Sequence, residues 1–285
     1  MPTAMKLPRL SPRSPDSHKG DFGRALLVGG SRGMAGAIAL SGMACLRSGA
    51  GLVKLAVPDC CLEAVATFEP SYMTTPLACD ADGRIGIAAH GILQKLADDA
   101  TCIACGPGLG RSAELTQLVG WMYRAEKKPI VFDADALFAL ADLRDNLPSP
   151  AAPRILTPHP GEFSRLCGVS AANRDEQIQA AREMAARCGV VILLKGQRTF
   201  ITDGTREAYN TTGNPGMATG GCGDVLTGVI TALVCQKLSP FDAAVLGAHL
   251  QGLAGDLAAA ELGQVSMIAS DLPQFLPQAF QSLGS

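Results

Sequence analysis

The feature that most constrains the fold is a regular alternation between short, almost wholly apolar segments and segments with helical periodicity. Strands with apolar residues at nearly every position are typical of parallel sheets that helices cover on both faces. The predicted strands are RALLVGG (24–30), GLVKLAVP (51–58), TCIACGPG (101–108), PIVFDADA (129–136), RILTPHP (154–160) and VVILLKG (190–196). We therefore predict an α/β fold, a three-layer α/β/α sandwich with a mainly parallel central sheet.

The helices of this alternation follow from apolar residues spaced three and four apart. They are predicted at 34–51, 91–100, 113–127, 136–143 and 174–189. After Lys195 the pattern changes to two short runs on either side of Gly204, which predict an antiparallel hairpin. Three further helices are predicted at 223–236, 241–262 and 270–283.

Composition favours one compact domain. Of the 285 residues, 47% are hydrophobic, 18% are charged and 32 are glycine, and no linker rich in proline, serine or charge divides the sequence. We predict a loosely ordered N-terminal lead-in over 1–19 and a single domain over 20–285. The lead-in lacks the apolar segment of an export signal, so we expect a cytoplasmic protein.

Charge and hydropathy argue against two classes of partner. The formal net charge of -2 provides no basic field for nucleic acid or anionic lipid. No apolar run approaches the roughly 20 residues that cross a bilayer. We therefore expect small-molecule partners, with no nucleic acid and no membrane.

The ten cysteines are not expected to form disulfides in a protein that is not exported. Cys102 and Cys105 form a CxxC pair, but a redox or zinc pair is expected at a helix start or beside a second such pair. This pair lies in a predicted buried strand. We interpret both cysteines as core residues and leave a redox role open.

Ligands of open α/β sheets bind beyond the carboxyl ends of the strands, so the segments that follow the predicted strands are the candidate site. The first, VGGSRGMAG (28–36), lacks the GxGxxG spacing of a dinucleotide-binding turn, which argues against a dehydrogenase. The segment CGPGLG (105–110) permits close approach of the backbone, either to a ligand or within a tight turn.

The segment TGGCGD (219–224) places an acid directly after a glycine-rich loop. Gly220, Gly221 and Gly223 permit left-handed backbone, and the positive end of the next helix points to the same place, so we predict an anion hole. A carboxylate beside bound phosphate is unexpected. Asp224 is either a helix cap or the base that deprotonates a hydroxyl as the hydroxyl attacks that phosphate.

Three more strand ends carry polar side chains. In TPHPGE, the flanking prolines keep His159 extended and Glu162 falls in the first turn of a helix, an arrangement that indicates either capping or contact with a ligand. Asp133 and Asp135 either steer a magnesium ion or are solvated turn acids. Lys195 ends a buried strand, where a lysine either contacts phosphate or a nucleotide's sugar, or extends into solvent.

Taken in chain order, six segments resemble the motifs of the ADP/ATP-dependent NAD(P)H-hydrate dehydratase family, from about residue 20 to residue 282. They are SGAGLVKLAVP, CGPGLGR, VFDADAL, TPHPGEF, LLKGQRT and GMATGGCGDVLTG. The resemblance implies a ribokinase-like fold and a hydro-lyase that repairs the S form of hydrated NADH or NADPH. In that family a nucleotide's terminal phosphoryl group, from ADP in bacterial members, passes to the ring hydroxyl, and phosphate then leaves. The cofactor implied is Mg²⁺.

The resemblance also implies residue roles. Asp224 is the expected catalytic base and contacts the hydrate. The other expected hydrate-binding residues are Ala39, Gly108 and His159. The expected nucleotide-binding residues are Lys195, Gly196, Gln197, Arg198, Thr199 and Gly223. The anion hole comprises Gly221, Cys222 and Gly223, and Glu162 resembles a glutamate that organises magnesium through water in related kinases.

Two departures from the family pattern affect no expected catalytic group. Cys222 occupies a variable position of the glycine loop, and Phe138 stands where the family often has asparagine. Some relatives carry a hydrate epimerase domain in front, for which this sequence has no room, so a separate epimerase is expected. Small residues over 243–263 favour packing between subunits and hence a homo-oligomer.

Two alternative functions remain. One is a small-molecule kinase of the same fold, of the thiazole or hydroxymethylpyrimidine type, against which His159 argues because such kinases have asparagine there. The other is a non-catalytic nucleotide sensor, against which the intact set of Lys195, Glu162 and Asp224 argues. The sequence leaves open ADP against ATP, NADH hydrate against NADPH hydrate, and the number of subunits.

Overall fold

The computed structural model describes residues 7–144 and 147–284. The first six residues of the predicted lead-in, and residues 145, 146 and 285 of the predicted domain, lie outside this part. Within it, nine strands form one sheet in the order β3-β2-β1-β4-β5-β6-β7-β8-β9. The strands are β1 (Arg24–Val28), β2 (Leu52–Pro58), β3 (Met73–Leu77), β4 (Cys102–Cys105), β5 (Ile130–Phe132), β6 (Arg154–Leu156), β7 (Val191–Leu194), β8 (Phe200–Thr202) and β9 (Glu207–Tyr209).

The sheet is parallel from β3 through β7, and β8 and β9 add to its edge as an antiparallel hairpin. The predictions of a mainly parallel sheet and of the hairpin are therefore confirmed. The hairpin turns at Gly204, whose φ of 88° requires glycine.

Helices cover both faces of the sheet, which confirms the predicted sandwich. Within the described residues they are α1 (Ala35–Arg47), α2 (Leu62–Ala66), α3 (His90–Asp99), α4 (Ala113–Ala125), α5 (Asp135–Ala141), α6 (Pro160–Cys167), α7 (Arg174–Cys188), α8 (Cys222–Cys235), α9 (Pro240–Leu262) and α10 (Leu272–Gln281). Helices α1, α8, α9 and α10 share one core layer, and α3 to α7 share the other. Along β1, Ala25 and Leu27 face the first layer whereas Leu26 and Val28 face the second, so the strand is apolar at successive positions.

The edge beyond β2 was not predicted. The strand β3 has the sequence MTTPL and is largely exposed, and α2 has only five residues. Neither has the apolar run or the repeated spacing by which the other elements are recognised, because an edge strand is covered less than a central one.

Helix α8 is the central helix of its layer, with its N-terminus at the carboxyl edge of the sheet. It packs closely on α1, since a Cβ atom at Gly228 would lie 2.1 Å from the carbonyl oxygen of Ser41. The Ser41 hydroxyl donates a 2.7 Å hydrogen bond to the carbonyl oxygen of Asp224. Helix α1 therefore fixes the first turn of α8.

The N-terminal segment contacts the domain. Leu7 and Leu10 pack against the core, and the Arg13 guanidinium donates to the carbonyl oxygen of Gly49 and lies 3.8 Å from the centre of the Phe22 ring. The boundary at residue 20 stays a prediction.

Two further expectations concern the cysteine pair and membrane-spanning helices. Cys102 and Cys105 lie fully buried in β4, as a core position requires. Among the described helices, none combines the length and the apolarity needed to cross a bilayer.

Candidate active site

The carboxyl ends of β1, β4, β5, β6 and β7 lie side by side, because these strands are parallel neighbours in the sheet. The loops that follow them therefore meet along one edge. The N-terminus of α8 lies at the same edge, since a Cβ atom on Gly223 would be 3.1 Å from the Lys195 ammonium and 3.5 Å from the Asp133 carboxylate. The structure thus brings the predicted strand-end segments together.

The Asp133 carboxylate joins four elements of this edge. Its Oδ1 accepts hydrogen bonds from the Lys195 ammonium at 2.6 Å and from the Thr157 hydroxyl at 2.8 Å. Its Oδ2 accepts from the Thr227 hydroxyl of α8 at 2.8 Å. The side chain is 1% exposed. Asp133 is therefore not a solvated turn acid: it fixes Lys195 relative to α8, and both its oxygens are engaged.

Asp135 turns to the other side of the same loop. Its carboxylate accepts from the amide of Gly110 at 3.0 Å and from the Arg111 guanidinium at 2.9 Å. The intervening Ala134 has a φ of 49°, a conformation that costs a non-glycine residue of order 1 kcal/mol or more. Because of this turn in the backbone at Ala134, the side chains of Asp133 and Asp135 point to different sides and contact different loops.

The first turn of α8 has the geometry of the predicted anion hole. Gly221 is the N-cap with a φ of 99°, and the amide of Val225 donates back to its carbonyl oxygen. The amides of Cys222, Gly223 and Asp224 therefore lie in the turn where helix N–H groups have no acceptor within the helix. Of the three loop glycines, only Gly221 has a left-handed φ, and Gly223 is needed for space instead.

Lys195 adds charge to this helix end. A Cβ atom at Gly223 would lie 3.1 Å from the lysine Nζ, so the ammonium stands directly over the first turn. The lysine side chain is 21% exposed. A positive charge and free amides at one point bind a phosphoryl group better than either does alone.

Asp224 lies in the same turn, and its pKa is raised to about 7. Burial is the largest cause, and the negative charge of Asp133 is the next; the Lys195 ammonium opposes both, and Asp135 and Glu162 add smaller upward contributions. Among the described residues, no side chain or amide donates a hydrogen bond to this carboxylate. A carboxyl group with a pKa near neutral pH has the property expected of a general base.

His159 and Glu162 form a reciprocal cap at the start of α6. The His159 Nδ1 accepts from the amides of Gly161 and Glu162, and a Glu162 oxygen accepts from the His159 amide at 2.8 Å. Capping is therefore confirmed as one role of this pair. Because Nδ1 accepts hydrogen bonds, the ring proton lies on Nε2, and Nε2 is itself 3.3 Å from a carboxylate oxygen of Glu162. The ring is 56% exposed, so a ligand can still reach it from solvent.

Glu162 contributes to an excess of negative charge at the site. Its pKa is raised, first by burial and also by Asp133, while the charges of Lys195 and His159 oppose this. Its side chain is 19% exposed. Among the described residues, the Lys195 ammonium thus faces the carboxyl groups of Asp133, Glu162 and Asp224, an imbalance that a divalent cation would correct. In the described part of the chain these acids do not form a set of three ligand atoms within 4.8 Å. A Mg²⁺ ion here would need water and phosphate oxygens as further ligands, which is its usual manner of binding.

The segment from Lys195 to Thr199 is held by Arg174, a residue that the sequence analysis missed. The Arg174 guanidinium donates to the carbonyl oxygens of Leu194, Lys195 and Arg198. Gly196, with a φ of 154°, passes against this guanidinium, and the Thr199 hydroxyl donates to the Gly196 carbonyl. Gln197 and Arg198 are exposed. Arg174 lies in a polar helix, where no sequence pattern distinguishes it from a solvated arginine.

Gly108 and Ala39 are the other two expected hydrate-binding residues, and they lie in different places. Gly108 follows β4 with a φ of 61°, and a Cβ atom there would lie 2.5 Å from the carbonyl oxygen of Met34, so the backbones of two strand-end loops touch. Ala39 is 1% exposed within α1. Its proposed contact with the hydrate stays a prediction.

Phe138, which stands where the family often has asparagine, packs against two arginine side chains. Its ring lies between the guanidinium groups of Arg111 and Arg165, at 3.9 Å and 4.1 Å from the ring centre. It lines a cavity of about 340 Å³ that Asp135 and Gly110 also border. An aromatic ring between two cations is favourable at this position.

Fold and site together define a ribokinase-like α/β protein whose candidate site combines free amides at a helix N-terminus with a buried carboxyl group. Comparison with known proteins identifies the family. The family model for NAD(P)H-hydrate dehydratase matches residues 25–278, and the chain belongs to that family.

The relatives support this assignment. The bifunctional NAD(P)H-hydrate repair enzyme Nnr of Moorella thermoacetica is 44% identical over 281 residues, which are 98% of this chain and 52% of that protein. The chain thus spans about half the length of the curated relatives it matches. A crystal structure of the ADP/ATP-dependent NAD(P)H-hydrate dehydratase from Bacillus subtilis, co-crystallised with ATP and Mg²⁺, is 30% identical, with a TM-score of 0.80 over 96% of this chain and 94% of that one. A ribokinase-like superfamily protein from Enterococcus faecalis is 29% identical, with a TM-score of 0.81 over 96% and 92%.

Proposed function

We propose that this protein is an ADP- or ATP-dependent dehydratase of the S form of NAD(P)H hydrate. The observation that carries the proposal is the position of Asp224, a base with a pKa of about 7, in the helix turn that also offers free amides and the Lys195 ammonium. A site of this kind can hold a phosphoryl group and deprotonate the hydroxyl that attacks it. Family membership supports the proposal that this hydroxyl is the one on the hydrated nicotinamide ring.

The residues of the chain would act in two steps. In the first, Asp224 removes the proton of the ring hydroxyl as its oxygen bonds to the terminal phosphorus, and the bond from phosphorus to the rest of the nucleotide breaks. The amides of Cys222 and Gly223, with Lys195, stabilise the charge on the transferring group. In the second step the ring nitrogen supplies electrons, the bond from ring carbon to phosphate oxygen breaks, and loss of a neighbouring ring proton restores the double bond.

Glu162 is the proposed residue for Mg²⁺, through a water molecule. When bound, Mg²⁺ neutralises phosphate charge during transfer. The Bacillus subtilis relative was co-crystallised with ATP and Mg²⁺, and the excess of carboxylates over lysine at this site is compatible with the same ion. The segment from Lys195 to Thr199 is the proposed nucleotide-binding loop, and His159 and Gly108 are the proposed contacts to the hydrate.

The test follows the recovery of NADH absorbance from NADH hydrate with Mg²⁺ and either ADP or ATP. We expect recovery with at least one nucleotide, and loss of at least about a hundredfold in kcat for Asp224→Asn, because general base catalysis contributes roughly that much. Asp98→Asn, an exposed acid on α3, is the matched control and should keep full activity. No recovery with either nucleotide would refute the proposal. A stable phosphorylated product would instead identify a small-molecule kinase.

Four further parts of the assignment remain proposals. They are the single domain over 20–285, the homo-oligomer, the separate hydrate epimerase and the cytoplasmic location. Size-exclusion chromatography with light scattering measures the number of subunits directly.

A further inference from the structure

A second cluster of ligand-type side chains lies at the edge of the sheet, away from the candidate active site. Strands β2 and β3 pair in parallel with Pro58 opposite Leu77, so the residues that follow the two strands meet. Asp59, Cys60 and Cys79 each offer one ligand atom there, and these atoms lie within 4.8 Å of one another. In residues 7–144 and 147–284 this is the one such group of three.

The contacts within the cluster already bring sulfur and oxygen together. The Cys79 thiol donates to Asp59 Oδ1 at 2.8 Å, and the Cys60 amide donates to the same oxygen at 2.7 Å. The Cys60 sulfur lies 3.8 Å from the carbonyl oxygen of Gly83. Asp59 and Cys60 are exposed and Cys79 is partly exposed, so an ion can reach all three from solvent.

The backbone that carries the cluster is held in place. Cys79 forms a bridge with Ile85 across a tight turn, and within that turn the amide of Gly83 donates to the carbonyl oxygen of Asp80. The amide of Arg32 donates to the Gly83 carbonyl at 3.0 Å. Ligands on a fixed turn and at a strand end lose little freedom when they bind an ion.

We propose that Asp59, Cys60 and Cys79 form a zinc site, with water as the fourth ligand. Two sulfurs bound at about 2.3 Å to a tetrahedral zinc are about 3.8 Å apart. The three ligand atoms lie within 4.8 Å of one another, so each pair needs to change its separation by only about 1 Å or less. Thiolate ligands select zinc over magnesium or calcium, which prefer oxygen. Three protein ligands and one water is the usual arrangement of a zinc site that is open to solvent.

Binding replaces two protons with one ion. Each thiol loses its proton to solvent as a zinc–sulfur bond forms, and the Asp59 carboxylate bonds without proton loss. The Cys79 thiol donates its hydrogen to Asp59, and zinc binding replaces that hydrogen bond with bonds from both side chains to the ion. One Zn²⁺ with three anionic ligands has a net charge of −1, and the Arg32 side chain beside Gly83 lies near enough to offset it.

The first test is titration with Co²⁺, which takes zinc's place and shows thiolate coordination by its absorption. The full chain, reduced with a phosphine and freed of metal, should bind about one equivalent with a thiolate-to-cobalt charge-transfer band, and Zn²⁺ should displace it. In the Cys60→Ser and Cys79→Ser variants, the charge-transfer band should be weaker by the contribution of one thiolate. Each variant should also bind Co²⁺ at least about tenfold less tightly. Cys167→Ser, at a partly exposed thiol of α6, is the matched control and should bind as the unchanged protein does.

The second test needs no variant. Zn²⁺ should slow alkylation of Cys60 and Cys79 by iodoacetamide while leaving Cys167 unaffected, as peptide mass spectrometry would show. A titration without the charge-transfer band, a band that survives in both serine variants, or equal alkylation with and without Zn²⁺ would each overturn the proposal. None of these readouts depends on the dehydratase activity, so the two proposals fail separately.

Discussion

Replacing Asp224 with asparagine should remove activity and at the same time stabilise the fold. The site holds this carboxyl at a pKa of about 7, against an ordinary value of 3.8. A difference of about 3 units at 1.36 kcal/mol per unit gives about 4 kcal/mol by which ionisation of this one group opposes folding at alkaline pH. An asparagine amide keeps part of the desolvation cost, of order 1–3 kcal/mol, so the expected gain is about 1–3 kcal/mol.

The pH dependence distinguishes this cause from a general packing effect. A folded-state pKa above the unfolded value means that the folded protein holds a proton that the unfolded chain releases. The cost of Asp224 is therefore absent below its unfolded pKa near 3.8, grows as pH rises towards 7, and is constant above that. Asp224→Asn and the unchanged protein should have similar free energies of unfolding near the acid end, and should diverge up to neutral pH.

The assay is urea unfolding without nucleotide or Mg²⁺, from about pH 5 to about pH 8. The m-values of the two proteins should be equal, which checks that both expose the same surface on unfolding. Asp98→Asn serves as the control and should show no pH-dependent difference. A variant that is less stable than the unchanged protein at about pH 8, or a difference that does not change with pH, would refute the reasoning.

Four further outcomes are expected. Lys195→Met leaves the buried Asp133 carboxylate without its cation, and should lower the free energy of unfolding by about 3 kcal/mol in urea titrations, together with kcat/KM. Gly223→Ala adds a methyl group 3.1 Å from the lysine Nζ and should weaken nucleotide binding in calorimetry, whereas Gly220→Ala, whose Cβ meets nothing within 4 Å, should not. Arg154→Met removes a fully buried guanidinium that donates to five carbonyl oxygens, and should cost about 3 kcal/mol or more of stability by the same unfolding measurement. The pH profile of kcat/KM should rise through about pH 7 as Asp224 ionises, and added Mg²⁺ should move that limb to lower pH; a profile flat between about pH 5 and about pH 8 would contradict the assignment of the base.

The parts of the fold that sequence predicts are those where one local pattern determines the structure. Continuous apolar runs identified the central strands, because these strands are buried on both faces. The hairpin after Lys195 followed from the glycine at its turn. The strand β3 was missed since it is an edge strand with Thr74, Thr75 and Pro76 at its middle, and its position depends on β2 rather than on its own residues.

The candidate site was predictable as a set of loops and not as a set of contacts. Sequence indicated that Asp133, Lys195 and Asp224 follow strands or open a helix, and parallel pairing then brought them to one edge. It gave no indication that Asp133 binds Lys195, 62 residues away, and Thr227, 94 residues away. Such contacts depend on the packing of α8 against the sheet, which the local spacing of residues does not encode.

These contacts explain how an acid can lie at the helix end that we propose binds phosphate. A helix N-terminus by itself favours the ionised form of a carboxyl and would keep its pKa low. Here burial and the fixed charge of Asp133 outweigh that effect, so the pKa of Asp224 rises to about 7. The same Asp133 holds Lys195 over the amides that we propose bind phosphate. One buried carboxylate therefore maintains both the proposed base and the proposed anion site, which is why we expect substitutions at Asp133 to impair proton transfer and nucleotide binding together.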